Sequence, residues 1–255
     1  MAGCEMRRFT LDAPPDLTGC DAVIHLAGES VVGIWTAAKK RAIVESRVQG
    51  TRRLVEAMAA MATPPEVFVS GSAVGFYSSS GDAEITETSP PGAGFLSETV
   101  QAWEAETKAA PVQTRVILLR TGIVLSREGG ALAAMLPAFR AGLGARIGDG
   151  RQWMPWIHIE DIAMLALFAM EDASIRGPLN ATAPWPSRNA DFTRSLAAAL
   201  HRPAFFRAPA WAVRLIGEFS HELLDSKRVL PGSAAEHGFR FQYPELEPAL
   251  KNLVG

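Results

Sequence analysis

Residues suited to chemistry are concentrated where short apolar segments end in small residues. The stretch VIHLAGES at 23–30 runs from a buried strand into a tight Ala-Gly turn, and strand–glycine junctions of this kind often approach a nucleotide. The stretch VFVSGS at 67–72 ends in Ser and Gly in a similar way. His158 lies in PWIHIED, and a histidine can exchange a proton near neutral pH. Plainer alternatives stay open, because small residues also make ordinary turns and a histidine between two isoleucines is more often a structural hydrogen-bonding group.

The elements that must position these residues alternate between strand and helix. Strands are predicted at Arg7–Leu11, Ala22–Leu26, Val67–Ser70, Arg115–Arg120, Trp156–Ile159 and Gly177–Ala181, and helices at Trp35–Met61, Phe95–Ala109, Gly129–Gly142, Asp161–Glu171 and Asn189–Leu200. Near-continuous apolar strands alternating with helices are typical of a parallel sheet covered on both faces. The sequence therefore predicts a doubly wound, Rossmann-like α/β domain over residues 1–201. The proline-interrupted pattern of residues 202–255 predicts a small C-terminal helical lobe.

Composition narrows the classes of partner. The 255 residues carry a net charge of −2, so no basic surplus favours nucleic acid or an anionic membrane as a partner. The two cysteines, Cys4 and Cys20, have no metal-binding spacing, and we expect reduced thiols in a cytoplasmic protein and no metal site. We expect no signal peptide, and the most apolar helical segment, Ile162–Met170, is too short to cross a bilayer.

Four phrases in a fixed order resemble a known family. They are VIHLAGES, VFVSGSAVGFY, LLRTGIVL and PWIHIEDIA, and together they resemble the extended short-chain dehydrogenase/reductase superfamily. The C-terminal stretch KRVLPGSAAEHGFRFQYPELEPAL is similar to the atypical "epimerase family" branch, which ends in a small domain of unknown function. The resemblance extends from about residue 6 to the end. It implies a Rossmann sheet that binds NADP, with NAD not excluded, and a small-molecule substrate such as a nucleotide sugar.

One departure from the family pattern concerns the start of the sequence. Members of the superfamily begin with a strand, a GxxGxxG turn and a helix that hold the pyrophosphate, and no such turn precedes residue 23. Arg7–Leu11 matches the third strand of the family and VIHLA the fourth. We therefore expect an N-terminally incomplete sheet in which VIHLA is an edge strand that a homodimer partner could cover. We also expect weak dinucleotide binding by this chain.

The resemblance implies a set of cofactor-contacting residues near the strand ends. They are Leu26, Ala27, Gly28, Arg47, Ser70, Gly71, Arg120 and Val124. Gly28 would allow backbone approach beside the ribose and phosphates, and Arg47 could hold a phosphate bidentately. Val124 would pack near the nicotinamide. Two alternatives stay open, in which Arg47 is a solvated helix residue and Arg120 is an ion-pair partner.

The catalytic residues implied by the resemblance are incomplete. Ser72 falls where the superfamily has its catalytic Ser or Thr. The tyrosine and lysine of the usual acid/base pair are missing, since Phe95 or Leu96 takes the tyrosine position and a phenylalanine cannot transfer a proton. Tyr77 and His158 are the candidate substitutes.

Two functions follow as hypotheses. The first is an NAD(P)-dependent oxidoreductase or epimerase without the usual Tyr/Lys pair. The alternative is a non-catalytic nucleotide-binding or regulatory protein on the same fold. A hydrolase has little support, because no GxSxG elbow is present.

Overall fold

The centre of the fold is a four-stranded parallel sheet with helices on both faces. The computed structural model describes residues 9–255. Along the chain the strands are β1 (Ala22–His25), β2 (Val67–Ala73), β3 (Glu84–Ile85), β4 (Arg115–Thr121), β5 (Ile123–Leu125), β6 (Ala145–Ile147), β7 (Trp153–Met154), β8 (Trp156–His158), β9 (Gly177–Ala181), β10 (Ser187–Arg188), β11 (Phe206–Ala208) and β12 (Arg228–Val229). The α-helices are α1 (Ala37–Ala59), α2 (Phe95–Glu106), α3 (Gly130–Arg140), α4 (Ile159–Glu171), α5 (Asn189–Ala199), α6 (Ala210–Val213), α7 (Ser220–Leu224), α8 (Gly232–Glu236) and α9 (Leu246–Val254). Short 3-10 segments cover Val74–Phe76, Thr107–Ala109 and Arg214–Phe219.

The order of the sheet is β1-β2-β4-β9, and every pairing within it is parallel. Successive side chains of β2 point to opposite faces. Phe68 packs with α1, whereas Val67 and Val69 pack with α4. Helices therefore cover both faces, which confirms the predicted Rossmann-like α/β architecture. As predicted, β1 is an edge strand, since β2 is its only neighbour among the described strands.

The longest helix, α1, follows the edge strand and begins with a capped turn. The Thr36 side chain accepts a hydrogen bond from the Lys39 amide at 3.2 Å, which satisfies one of the free N–H groups at the helix start. The helix ends at Ala59, before the Pro64-Pro65 pair. Its buried face includes Leu54 and Met58. The sequence analysis therefore predicted this helix within a few residues at each end.

The residues beyond 202 complete the hydrophobic core instead of forming one of their own. Helix α9 packs against α5, and Leu246, Ala249 and Leu250 share a buried cluster with Trp156. Two short strands of this region pair with the main domain, β11 with β6 and β12 with β3. The C-terminal segment is thereby held against the rest of the chain at several points.

The predicted strand at Arg7–Leu11 is wrong where the structure describes it. Phe9 and Thr10 are irregular and Leu11 is in a turn, while residues 7 and 8 lie outside the described range. Phe9 and Leu17 instead pack against the cluster between β1 and α1. Their apolar character therefore reflects a loop that covers the core. In residues 9–255 no helix has the length and apolar composition needed to cross a membrane.

Candidate functional site

Three neighbouring strands bring most of the predicted site residues to one edge of the sheet. In register, His25 lies beside Ser70, and Ser72 lies beside Arg120. The turn at 26–28 follows β1 directly. In parallel strands the carboxyl ends meet at one edge, and ligands of open α/β sheets bind there. The structure therefore brings the predicted residues of 26–28, 70–72 and Arg120 together at this edge.

Arg47 extends from α1 onto the turn after β1. Its guanidinium lies so close to Gly28 that a Cβ there would be 3.2 Å from Arg47 Cζ. One nitrogen, Nη1, donates to the carbonyl oxygens of Glu29 at 2.9 Å and Ile43 at 3.2 Å. The side chain also lies over the Trp103 ring, 5.4 Å from its centroid, and burial lowers the pKa of Arg47. The Arg47 side chain is thus held in place by contacts within the chain, which argues against the solvated-helix alternative.

The cation of Arg47 is not neutralised. Within residues 9–255 no carboxylate lies at ion-pair distance from its guanidinium, and no hydrogen-bond acceptor engages Nε or Nη2. A half-buried guanidinium with spare donors is suited to a bidentate phosphate. Gly28 has no side chain, which lets the Arg47 guanidinium lie directly beside the backbone after β1. The residues present therefore fit the phosphate of a dinucleotide.

Under this turn lies a buried polar group centred on His25. The Trp103 indole donates to Thr51 Oγ1 at 2.7 Å, and Thr51 lies 3.5 Å from His25 Nδ1. Nε2 of His25 has no partner among the described residues. Burial lowers the pKa of His25 from 6.5 to about 4, so the ring is neutral at pH 7. Gly71 is required here, because a Cβ would lie 2.9 Å from the His25 carbonyl oxygen.

Ser72 and Tyr77 belong to one buried hydrogen-bond network. Ser72 Oγ donates to Glu104 Oε1 at 2.5 Å, and Arg120 donates to both oxygens of Glu104 at 2.9 Å. Arg120 also donates to the Tyr77 hydroxyl at 2.8 Å, which in turn donates to Asn180 Oδ1 at 2.8 Å. The alternative that made Arg120 an ion-pair partner is therefore the one that its contacts support.

The network limits what these hydroxyls can do in catalysis. Ser72 is only 3% exposed and its proton is engaged by Glu104. Burial raises the pKa of Tyr77, with the hydrogen bond from Arg120 opposing the shift, so the phenol keeps its proton near neutral pH. Both groups can accept a further hydrogen bond, but neither is a free base.

His158 lies away from this network. Its Nδ1 accepts from the Glu160 amide at 3.1 Å, and it is the N-cap residue of α4. Its Nε2 lies 3.1 Å from Asn252 Oδ1, and its ring stacks on Tyr243 with centroids 3.9 Å apart. The side chain is fully buried. The contacts support the structural alternative of the sequence analysis, and the structure does not bring His158 to Ser72.

An open cleft of about 530 Å³ lies beside the network. One wall includes Tyr77 and the start of α2 at Phe95, and the other belongs to the segment 218–227. The Trp35 ring lies against Phe95 and Phe219, at 5.1 and 5.9 Å between centroids. The C-terminal segment therefore forms one side of this cavity.

A charged pair missed by the sequence analysis includes Glu218, which lines this cleft. Lys40 of α1 forms an ion pair with Glu218 of the C-terminal segment. The ammonium of Lys40 lies over the Phe95 ring, 4.8 Å from its centroid. Phe95 or Leu96 takes the tyrosine position in the family resemblance, so the Lys40 ammonium lies beside one of the two candidate positions. No motif links Lys40 to Glu218 in the sequence, and only the fold brings them together.

The remaining predicted residue, Val124, is half-buried on β5, which pairs with β8. It packs against the main core cluster. Across residues 9–255 no group of three or more His, Cys, Asp or Glu side chains is arranged to hold a metal ion.

Comparison with family models divides the chain into two parts. The model described as "NAD dependent epimerase/dehydratase family" matches residues 6–180, and a domain of unknown function, DUF1731, matches residues 208–253. The two matches agree with the motif-based resemblance, including the unassigned C-terminal domain.

Individual relatives cover nearly all of this chain. The bovine epimerase family protein SDR39U1 is 40% identical over 247 residues, which are 93% of this chain and 83% of the relative. The crystal structure of the human epimerase family protein SDR39U1 (isoform 2) with NADPH has a TM-score of 0.90 at 36% identity, covering 94% of this chain and 83% of that chain. A nucleoside-diphosphate sugar epimerase from Corynebacterium glutamicum has a TM-score of 0.78 at 35% identity, covering 98% of this chain and 50% of that chain. These findings confirm the predicted family and fold, and the NADPH of the human relative agrees with the predicted NADP cofactor.

The buried network gives a first prediction about stability. Arg120→Met leaves Glu104 as an unpaired buried carboxylate, and we expect the free energy of unfolding to fall by about 3–5 kcal/mol in urea denaturation. The matched control is Arg194→Met, which breaks an exposed pair with Asp191 and should change stability by at most about 0.5 kcal/mol. The double variant Arg120→Met/Glu104→Leu should recover part of the loss. An equal, small effect of both single variants would contradict a stabilising role for the network.

His25 gives a second prediction, concerning pH. Because its folded pKa of about 4 is below the ordinary 6.5, the unfolded chain binds the proton more readily, and stability is lost as pH falls from 6.5 toward 4. From this residue we expect a loss of about 2 kcal/mol between pH 7 and pH 5. His25→Gln should reduce the pH dependence by that amount, measured by urea denaturation at both pH values. The control is His201→Asn, at an exposed position with φ of 53° that asparagine tolerates, and it should leave the pH dependence unchanged.

Proposed function

This chain belongs to the NAD-dependent epimerase/dehydratase family, and we propose that it is an NADP(H)-dependent oxidoreductase or epimerase acting on a small carbonyl or hydroxyl compound. The observation that supports it most is the likeness to the human relative with NADPH over 94% of this chain. A nucleotide sugar is one candidate substrate, since a relative at 35% identity is described as a nucleoside-diphosphate sugar epimerase. We keep a homodimer as a further proposal for covering the β1 edge.

The proposed cofactor residues are those at the carboxyl edge of the sheet. Arg47 would hold a phosphate through its free donors, and Gly28 would let the ligand approach the backbone. Ser70 and Gly71 are both buried, and they would form the bottom of the site beneath Arg47 and Gly28. When bound, the cofactor supplies or accepts the hydride.

Lys40 is the proposed proton donor. During reduction of a carbonyl, the carbon gains the hydride and the oxygen must gain a proton as the double bond opens. The Lys40 ammonium is the group that could give this proton, beside Phe95, one of the two candidate positions of the missing tyrosine. Glu218 would keep the ammonium in position through their ion pair. In the oxidation direction the same amine would take the proton back.

The alternative is a non-catalytic nucleotide-binding protein. It is favoured by the contacts of two candidate catalytic hydroxyls, since Ser72 and Tyr77 both donate to partners inside the buried network. The cleft decides between the two, because an enzyme needs a group there that can exchange a proton. Lys40 is our candidate for that group, because it pairs with Glu218 of the cleft wall, and the oxidoreductase is therefore the preferred proposal.

The cofactor site is tested by titrating NADPH into the protein and following ligand fluorescence. We expect Arg47→Met to raise the Kd by about tenfold or more, because a charge-assisted bidentate contact is lost. The control is Arg41→Met, an exposed residue earlier on the same helix, which should leave the Kd within about twofold. Micromolar binding by the unaltered chain would also show that the expectation of weak dinucleotide binding is wrong. An unchanged Kd in Arg47→Met would remove Arg47 from the site.

The proton donor is tested with a panel of aldehydes, ketones and nucleotide sugars, with NADPH consumption as the readout. We expect Lys40→Met to lower kcat by about a hundredfold or more while the NADPH Kd stays constant, as for the loss of a general acid. Arg41→Met again provides the control. If no compound of the panel is turned over, the binding alternative gains support. Full turnover by Lys40→Met would refute the assignment of the donor.

A further inference from the structure

The segment from Arg202 to Leu215 leaves large apolar side chains in solvent. Phe205 is 90% exposed, Trp211 68% and Leu215 79%, with Phe206 about half exposed. Apolar residues scattered singly over a surface are ordinary, but these four fall within eleven positions of the sequence. Such a concentration marks a surface that is covered in some state of the protein.

The same region is strongly basic. No Asp or Glu occurs between Phe192 and Gly217, whereas Arg194, Arg202, Arg207 and Arg214 all fall there. Within residues 9–255, Arg194 is the one member of this set with a carboxylate at ion-pair distance, the exposed Asp191. The whole chain has a net charge of −2, so this run of arginines without a carboxylate is more positive than the chain as a whole.

The fold adds a further arginine and forms a groove. Pairing of β11 with β6 places Arg207 beside Arg146 in register. Arg146, Arg194 and Arg202 line a groove of about 450 Å³ together with Phe205 and Phe206. Basic and aromatic side chains therefore share this groove, and the exposed Trp211, Arg214 and Leu215 follow it within ten residues of the sequence. We call these residues together the basic aromatic surface: Arg146, Arg194 and the exposed residues of 202–215.

The charge of this surface indicates the chemistry of its partner. In a symmetric dimer the same patch meets itself, so the arginines of two copies would repel each other. An anionic partner is complementary. Exposed side chains such as Phe205 and Leu215 need no matching pockets on a partner if they insert into the interfacial region of a bilayer. Trp is also favoured in that region, and Arg can contact lipid phosphates there.

We propose that the basic aromatic surface binds the face of an anionic lipid bilayer. The contact is peripheral, with Phe205, Trp211 and Leu215 in the headgroup region and the arginines on the phosphates. The overall charge argued against an anionic membrane, but its uneven distribution reverses that expectation for this surface. The proposal does not depend on the proposed oxidoreductase activity.

The experiment is sedimentation of the full chain with lipid vesicles. We expect the protein to pellet with phosphatidylcholine vesicles that contain about 30% phosphatidylglycerol and to stay in solution with phosphatidylcholine alone. Raising NaCl from about 0.05 M to about 0.5 M should release most of it. Phe205→Ser/Trp211→Ser and Arg202→Gln/Arg207→Gln should each lower the partition coefficient by about tenfold.

The control is Val112→Ser, which removes a fully exposed apolar side chain in a loop outside the surface and should leave partitioning unchanged. Circular dichroism and NADPH titration establish that each variant is folded. Failure to pellet with anionic vesicles at low salt overturns the proposal. So does equal binding to neutral vesicles, or dimerisation in analytical ultracentrifugation that Phe205→Ser abolishes without any vesicle binding.

Discussion

The ion pair between Arg120 and Glu104 is the interaction on which the rest of the site depends. Both side chains are almost fully buried, so each would be costly without the other. Their remaining donors and acceptors are used by Ser72 and Tyr77, and Tyr77 in turn bonds Asn180. One charge pair thereby connects β2, β4, β9, α2 and the turn after β2.

This arrangement explains why the usual chemistry of the superfamily does not fit the chain. The Ser72 hydroxyl lies at the position of the superfamily's catalytic Ser or Thr, but here it donates to the buried carboxylate of Glu104. The Tyr77 hydroxyl, a candidate substitute for the missing tyrosine, accepts from the buried guanidinium of Arg120. The C-terminal segment instead supplies Glu218 to the cleft wall, and Lys40 of α1 forms an ion pair with it. The domain of unknown function is therefore one wall of the cavity, joined to the other by the Trp35 and Phe219 contact.

Sequence reasoning succeeded where local pattern and tertiary structure agree. The strands at Val67 and Arg115 and the helix at Ala37–Ala59 follow from apolar periodicity and from breakers such as Pro64. The ends of β2 and β4 could be assigned to a site because parallel strands end at a common edge. His158 shows a different limit, since its type suits catalysis while its neighbours Asn252 and Tyr243 make it structural. Lys40 and Glu218 could not be found, because an ion pair between distant segments leaves no spacing signal.

Asn180 gives the network a consequence for how the protein can evolve. The Asn180 side chain accepts a hydrogen bond from the Tyr77 hydroxyl and donates one to the Leu230 carbonyl. The backbone N–H groups of Asn180 and Ser233 both donate to the Glu87 carboxylate. Removal of the Tyr77, Glu87 or Asn180 side chain leaves unsatisfied groups in segments far apart in sequence. The members can therefore change only together, and the two parts of the chain matched by separate family models are expected to be inherited as one unit, not recombined with other domains.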